Sequence, residues 1–339
     1  MKIAVIFTGG TIGSCIKGDF IGVDDKMKYA LLKNYENDNE IIFEASSPYS
    51  ILSENLSANE LNLLQKEINE KLAEDFDGII VTHGSDTLQC SSTAIEYAFG
   101  DCSIPIMFVS ADFPLEDERS NGYPNFQCAV EFIRNKIGTG VFVPYKNDDE
   151  NITNIHFPSR ILGHNELSAN VYSIDKIPFA KYNGNFTINN IKTNEKKQTL
   201  GVVNYSAESQ ILVIPNVPAQ SYSYCLENTK AILFKPYHSA TLNTTNEKLV
   251  SFCKKANEMN VPMFVLGANS EAGYESTRVY KELNINPLPH GTFISAYMKM
   301  WIATSMEYDI KEFMKKPIAW IGIAHRAKWV IKMHKKLLA

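Results

Sequence analysis

The sequence predicts a two-domain α/β protein, with a larger N-terminal domain on a mostly parallel sheet and a smaller C-terminal α/β domain. Three observations predict it. Short apolar runs alternate with segments of helical period, the pattern of a sheet covered by helices. That pattern weakens between Asn147 and Gln198, and a second αβ series follows. The 339 residues suit two domains at roughly 100–200 residues each. In order, Ile3–Phe7 reads as a buried strand. Over Leu56–Leu72 the leucines and Ile68 fall near helical spacing, with Ser57 as N-cap and Glu60 three residues on, a capping box. Gly78–Val81 reads as a strand, Thr87–Tyr97 as a helix, Pro105–Val109 as a strand, Asn125–Lys136 as a helix and Gly140–Val143 as a strand. Strands and loops end the first domain, 1–190, and the polar stretch Lys192–Lys197 opens a linker over 191–210. In the second domain, 211–339, Ile211–Ile214, Ala231–Lys235 and Pro262–Leu266 read as strands. Glu247–Met259 and Thr292–Thr304 read as helices.

Composition narrows the function. With 33 Lys+Arg and 38 Asp+Glu the chain carries −5 at neutral pH, which argues against nucleic-acid binding. Six scattered cysteines without a CxxC argue against a disulfide framework, and the seven histidines show no metal-binding spacing, so no metal is expected. Ile3–Phe7 is too short for a signal peptide, and the longest late apolar run, Ile318–Ala324, is far short of the ~20 residues that cross a bilayer. No membrane association is expected.

Two strand ends stand out. Ile3–Phe7 runs into Thr8-Gly9-Gly10-Thr11-Ile12-Gly13, and Ile79–Val81 runs into Thr82-His83-Gly84-Ser85-Asp86-Thr87. In a parallel sheet, ligands bind beyond the carboxyl ends of the strands. Glycines let backbone approach a ligand, and a hydroxyl becomes a nucleophile once a base takes its proton. Turn and cap chemistry alone would account for either turn. Two such turns, each with several hydroxyls, point to a site. Neither is a phosphate loop.

The turns resemble the two signatures of the L-asparaginase/glutaminase family, the bacterial type with threonine nucleophiles. Ser53-Glu54-Asn55-Leu56 is similar to its substrate-clamping segment, and Pro114–Gly122 to a segment of its cytoplasmic type I branch. The resemblance implies the asparaginase/glutaminase fold, with a Rossmann-like C-terminal domain. It also implies Thr11 as nucleophile, Ser85 in place of a second threonine, and Asp86 as the acid orienting that hydroxyl and holding the substrate's α-amino group. Ser53 and Glu54 would bind the α-carboxylate and α-amino groups, Gly84 would also bind substrate, and backbone at Ser110-Ala111 would meet the leaving amide. A zwitterionic substrate needs donors at one end and carboxylates at the other.

Two departures from the family matter. Phe20 stands where the family carries a lid tyrosine, and a phenyl ring cannot relay a proton. His164, four residues after Arg160, stands where the family carries a lysine; it can serve as base near neutral pH, and it also fits a surface loop. Lys146 is a second candidate for that lysine. In the second domain, Asn243 and Glu275 are candidates for a loop that the family extends into the site of a neighbouring copy; turn chemistry fits them equally. His83 reads as support for its turn. The tail from Ile310, with eight Lys/Arg against Glu312, reads as a basic amphipathic helix packed on its own domain or on a neighbouring copy.

The expected reaction is hydrolysis of L-asparagine to L-aspartate and ammonia without a cofactor, in a cytoplasmic homodimer or homotetramer. Three rivals remain. One is a glutaminase or mixed amidase, and one an amino-acid binder slowed by Phe20. The third is the ammonia-producing subunit of a tRNA-dependent amidotransferase, which usually carries an extra N-terminal domain, whereas Met1 opens directly on the first strand.

Overall fold

The computed structural model describes all residues except 19, 24–28, 36–37, 165–166, 192–198, 269–273 and 319–339, and omits the side chains of 16, 17, 20, 21 and 23. The chain divides into two compact units, Met1–Ala207 and Glu208–Pro317.

The first unit is built on an eight-stranded mixed sheet. Its strands are β1 (Lys2–Phe7), β4 (Ile42–Ser46), β5 (Gly78–Thr82), β6 (Pro105–Val109), β7 (Gly140–Lys146), β8 (Thr153–His156), β9 (Ala180–Tyr182) and β10 (Phe186–Ile188). A separate hairpin pairs β2 (Ser14–Lys17) with β3 (Phe20–Val23). The order across the sheet is β10-β9-β8-β7-β6-β5-β1-β4. Strands β4, β1, β5, β6 and β7 are parallel, and β8 to β10 return antiparallel.

Apolar residues alternate across both faces. Ile3, Val5 and Phe7 pack with Phe126, Val130 and Ile133 of α4 (Gly122–Arg134), and with Leu31 of the short α1 (Ala30–Lys33). Ala4 and Ile6 pack with Leu64 and Ile68 of α2 (Ala58–Leu72) and with Leu88 and Ile95 of α3 (Leu88–Phe99). Helix α2 begins at the expected capping box: Ser57 accepts from the Asn59 N–H at 3.2 Å, and Glu60 accepts from the Ser57 N–H at 3.1 Å. Helix α4 starts three residues earlier than its apolar period suggests, because Pro124 is tolerated in a first turn.

This order marks where a ligand would bind in such a sheet. From β1 the chain crosses to β4 on one side, then returns through α2 to β5 on the other. Connections therefore diverge between β1 and β5, which opens a crevice at their carboxyl ends. Both hydroxyl-rich turns leave from those ends.

The second unit carries four parallel strands in sequential order, β11 (Ile211–Pro215), β12 (Ala231–Lys235), β13 (Met263–Leu266) and β14 (Ile285–Leu288). Helix α5 (Glu247–Glu258) packs on one face, and α7 (Phe293–Ser305) and α8 (Ile310–Lys315) on the other. A one-turn α6 (Glu275–Arg278) lies between β13 and β14. Of the segment expected as a linker, 192–198 lies outside the described residues. Leu200 and Gly201 donate to Tyr97 and Ala98 of α3, and Val203 and Tyr205 to the side chains of Gln65 and Asn62 of α2. The tail beyond residue 318, expected as a basic helix, also lies outside the described residues.

Candidate functional site

The first turn is shaped by two left-handed glycines. Gly9 (φ +95°) and Gly10 (φ +77°) follow β1, and the Gly10 N–H donates to the Ile51 carbonyl at 2.8 Å. Thr8 Oγ1 donates to the Thr82 carbonyl at 2.7 Å, tying the end of β1 to the end of β5. A single 3₁₀ turn, Thr11–Gly13, follows; the Gly13 N–H and Ser14 Oγ both donate to the Gly10 carbonyl. Thr11 is half-buried, and its hydroxyl has no hydrogen-bond partner among the described residues.

The second turn meets the first at backbone distance. A Cβ on Gly10 would stand 2.3 Å from Gly84 Cα, and one on Gly84 would stand 2.4 Å from Ser53 Oγ. Only glycines permit this approach. Ser53 is buried in a 3₁₀ turn, Ser53–Asn55, and its carbonyl accepts from Thr87 Oγ1 at 2.8 Å. Thr11, Ser53, Glu54, Gly84, Ser85 and Asp86 thus belong to three turns in mutual contact. Ser85 is half-buried and Asp86 exposed, both just before the N-terminus of α3, where the helix dipole favours a carboxylate.

His83 serves the turn itself. Its backbone N–H donates to the Val109 carbonyl at 2.8 Å, and its Nδ1 donates to the Gly84 carbonyl at 2.8 Å. Burial disfavours the imidazolium and pushes the pKa down to about 4.

His164 reaches the site across 79 residues of chain. Its Nε2 lies 3.2 Å from the Ser85 carbonyl oxygen. A carbonyl only accepts, so Nε2 donates, and Nδ1 is buried and without a partner among the described residues. The ring therefore touches the Ser85 backbone rather than its hydroxyl. Arg160, four residues earlier, is buried near Glu96 and Asp175, and burial lowers its pKa.

Beyond β6, Ser110 is buried and its carbonyl accepts from Asn125 Nδ2 at 2.9 Å. Asn125 Oδ1 accepts in turn from the Lys146 N–H at 2.7 Å. Asp112 and Asn121 exchange two backbone-to-side-chain bonds at 3.0 Å, and Asn121 Nδ2 donates to the Lys146 carbonyl. The Asp112 carboxyl is held above its usual range, first by burial and further by Asp148. Neither Asn125 nor Asp112 stands out in the sequence; the only signal is a polar residue inside the apolar stripe of α4.

The Phe20 backbone lies in β3, and its side chain is outside the described part. Asn243 and Glu275 belong to the second unit. Asn243 Oδ1 accepts from Thr245 Oγ1 at 2.8 Å, and Glu275 is exposed in the first turn of α6. Among the described residues no group of three or more His, Cys, Asp or Glu side chains could hold a metal ion, and no helix is long and apolar enough to cross a membrane.

Residues 2–184, more than half of the chain, match the family described as "Asparaginase, N-terminal". The chain belongs to the asparaginase family. The asparaginase fold extends beyond those residues into the second unit. The thermostable L-asparaginase from Thermococcus kodakarensis superimposes with a TM-score of 0.77, at 20% identity, over 96% of this chain and 99% of that one. L-asparaginase I from Vibrio cholerae O1 biovar eltor gives a TM-score of 0.76, at 20% identity, over 94% and 98%. Among curated relatives, a Glutamyl-tRNA(Gln) amidotransferase subunit from Methanosarcina acetivorans is 28% identical over 167 residues, which are 47% of this chain and 38% of that protein. The subunit of the same name from Methanosphaera stadtmanae is 23% identical over 338 residues, 93% of this chain and 75% of that protein. The chain thus spans well under half of the first relative and about three quarters of the second.

Proposed function

We propose that the chain hydrolyses the side-chain amide of L-asparagine to L-aspartate and ammonia. The observation that carries this reading is the contact of Gly10 with Gly84, which sets the Thr11 turn against the Ser85–Asp86 turn at the β1/β5 crevice. Thr11 Oγ1 attacks the amide carbon, and N–H groups of the glycine turns stabilise the oxyanion. Ammonia leaves, and a water activated near Ser85 and Asp86 resolves the acyl-enzyme. Ser53 and Glu54 hold the α-carboxylate and α-ammonium groups, and backbone near Ser110 meets the leaving amide. His164 holds the Ser85 carbonyl through Nε2–H and so positions the Ser85 turn. Phe20 closes the lid without relaying a proton, so turnover is slow. The first unit is catalytic; Asn243 and Glu275 of the second complete the site of a neighbouring copy in a homodimer or homotetramer, which is cytoplasmic and needs no cofactor. Ammonia release from L-asparagine, absent in Thr11→Ala, tests the reading.

A second reading draws on the curated relatives, which are named as subunits of a Glutamyl-tRNA(Gln) amidotransferase. The same site would then deliver ammonia to a partner protein. Co-purification with such a partner distinguishes it. A preference for glutamine is a third outcome of the same assay, since one methylene changes binding by only about 1–3 kcal/mol.

A further inference from the structure

A second pocket lies in the first unit, on the antiparallel side of the sheet. It has a volume of about 180 Å³ between the loop after β7, strands β8 and β9, and the strap around Tyr172–Lys176. Asn154 and His156 of β8 alternate onto one face, and Lys181 of β9 sits in register with Asn154. His156 is 2% exposed. Its Nδ1 lies 2.8 Å from Ser173 Oγ, while Nε2 is buried and has no partner among the described residues. Native proteins leave few buried polar atoms unpaired, because an unmade bond forfeits the full cost of desolvation. Burial drives the imidazole pKa down to about 3, so the ring is neutral and Nε2 is free to bind a polar ligand atom.

The walls carry both charges. Asp149 and Glu150 are among the lining residues, with Glu150 accepting from Asn154 Nδ2. Lys176 and Lys181 line it as well, both exposed, and the Lys176 ammonium stands 5.8 Å from the Tyr172 ring centre. The strap is held in an unusual backbone state, with consecutive left-handed residues Asp175 (φ 60°) and Lys176 (φ 57°), a conformation retained only where surrounding structure enforces it.

We propose that this pocket binds a free amino acid, separately from the turns at Thr11 and Ser85. The lysines take the α-carboxylate, Asp149 and Glu150 take the α-ammonium, and His156 Nε2 meets a polar atom of the ligand on the pocket floor. The volume excludes a nucleotide, whose pocket would be several-fold larger. An inorganic anion would satisfy the lysines and be repelled by the two carboxylates; a zwitterion satisfies both. This site does not depend on the catalytic reading.

The test is imidazole ¹⁵N NMR on the full chain. Seven histidines give few signals, and His156→Gln assigns the one in question. Each common amino acid is added to the chain carrying Ser53→Ala and Glu54→Ala, so that binding at the turns is weakened. At least one amino acid is expected to shift the His156 signal saturably, with a Kd of about 1 mM or below. Lys181→Met, at an exposed position that leaves folding intact, is expected to weaken that binding at least tenfold. The proposal is overturned if no amino acid at ~10 mM moves the His156 signal. It is equally overturned if phosphate alone moves it, or if Lys181→Met leaves the affinity unchanged.

Discussion

Replacing Gly84 by alanine probes the contact that assembles the site. The new Cβ would stand 2.4 Å from Ser53 Oγ, 2.5 Å from Ser53 Cβ and 3.1 Å from Gly10 Cα. The first two are about 1 Å short of ordinary carbon contact, roughly 3.5 Å. Gly84 itself has no left-handed backbone, so the effect is steric. Ser53 is buried and its carbonyl is pinned by Thr87, so it cannot swing aside freely. Separation of the turns by about 1 Å is expected to lower kcat/KM roughly 10²-fold, the usual cost of such misplacement. Overpacking adds about 1–3 kcal/mol of destabilisation. Ammonia release and thermal melting read the two effects. In a Ser53→Gly background, which removes both nearest atoms, Gly84→Ala is expected to cost little further. Parent activity in Gly84→Ala, or an equal loss in both backgrounds, would refute the reasoning.

Three further outcomes follow from the same structure. Phe20→Tyr restores a hydroxyl at the lid and is expected to raise kcat by about 10²–10⁴-fold; an unchanged kcat would remove the missing relay from the account. Asn125→Ala strips partners from the Ser110 carbonyl and the Lys146 N–H, and is expected to destabilise by about 1–3 kcal/mol per orphaned group, read by urea midpoints. The third concerns pH. His83 and His156 are held in the fold at about 4 and about 3, below the unfolded value of roughly 6.5. The folded chain therefore binds fewer protons. Stability is full above the unfolded value and falls as pH drops towards the folded ones, by up to about 1.4 kcal/mol per pH unit for each ring. Urea midpoints at pH 7 and pH 5 check this, and His83→Gln is expected to flatten part of the slope.

What the sequence reveals follows from how local the cause is. β1, β5 and β6 are buried on both faces, so they read as unbroken apolar runs. β4 is a half-exposed edge strand with Glu44 at its centre, and its pattern is lost among polar neighbours. β8, β9 and β10 are three or four residues long and gain stability from pairing rather than from pattern. The turns at Thr11 and Ser85 are legible because glycine and hydroxyl spacing is a local property. Their contact through Gly10 and Gly84 is not, since 74 residues separate the two. The His164 ring meets the Ser85 carbonyl rather than its hydroxyl because the loop after Arg160 sets its position, and no spacing rule reports that.

The most direct test is ammonia release from L-asparagine and L-glutamine by the parent chain and by Thr11→Ala, both checked for an intact fold by thermal melting. The account predicts measurable release from asparagine by the parent and loss to background in Thr11→Ala. Equal release by both proteins would contradict Thr11 as the nucleophile. Release from neither amide, by the parent or by Phe20→Tyr, would contradict amide hydrolysis at these turns.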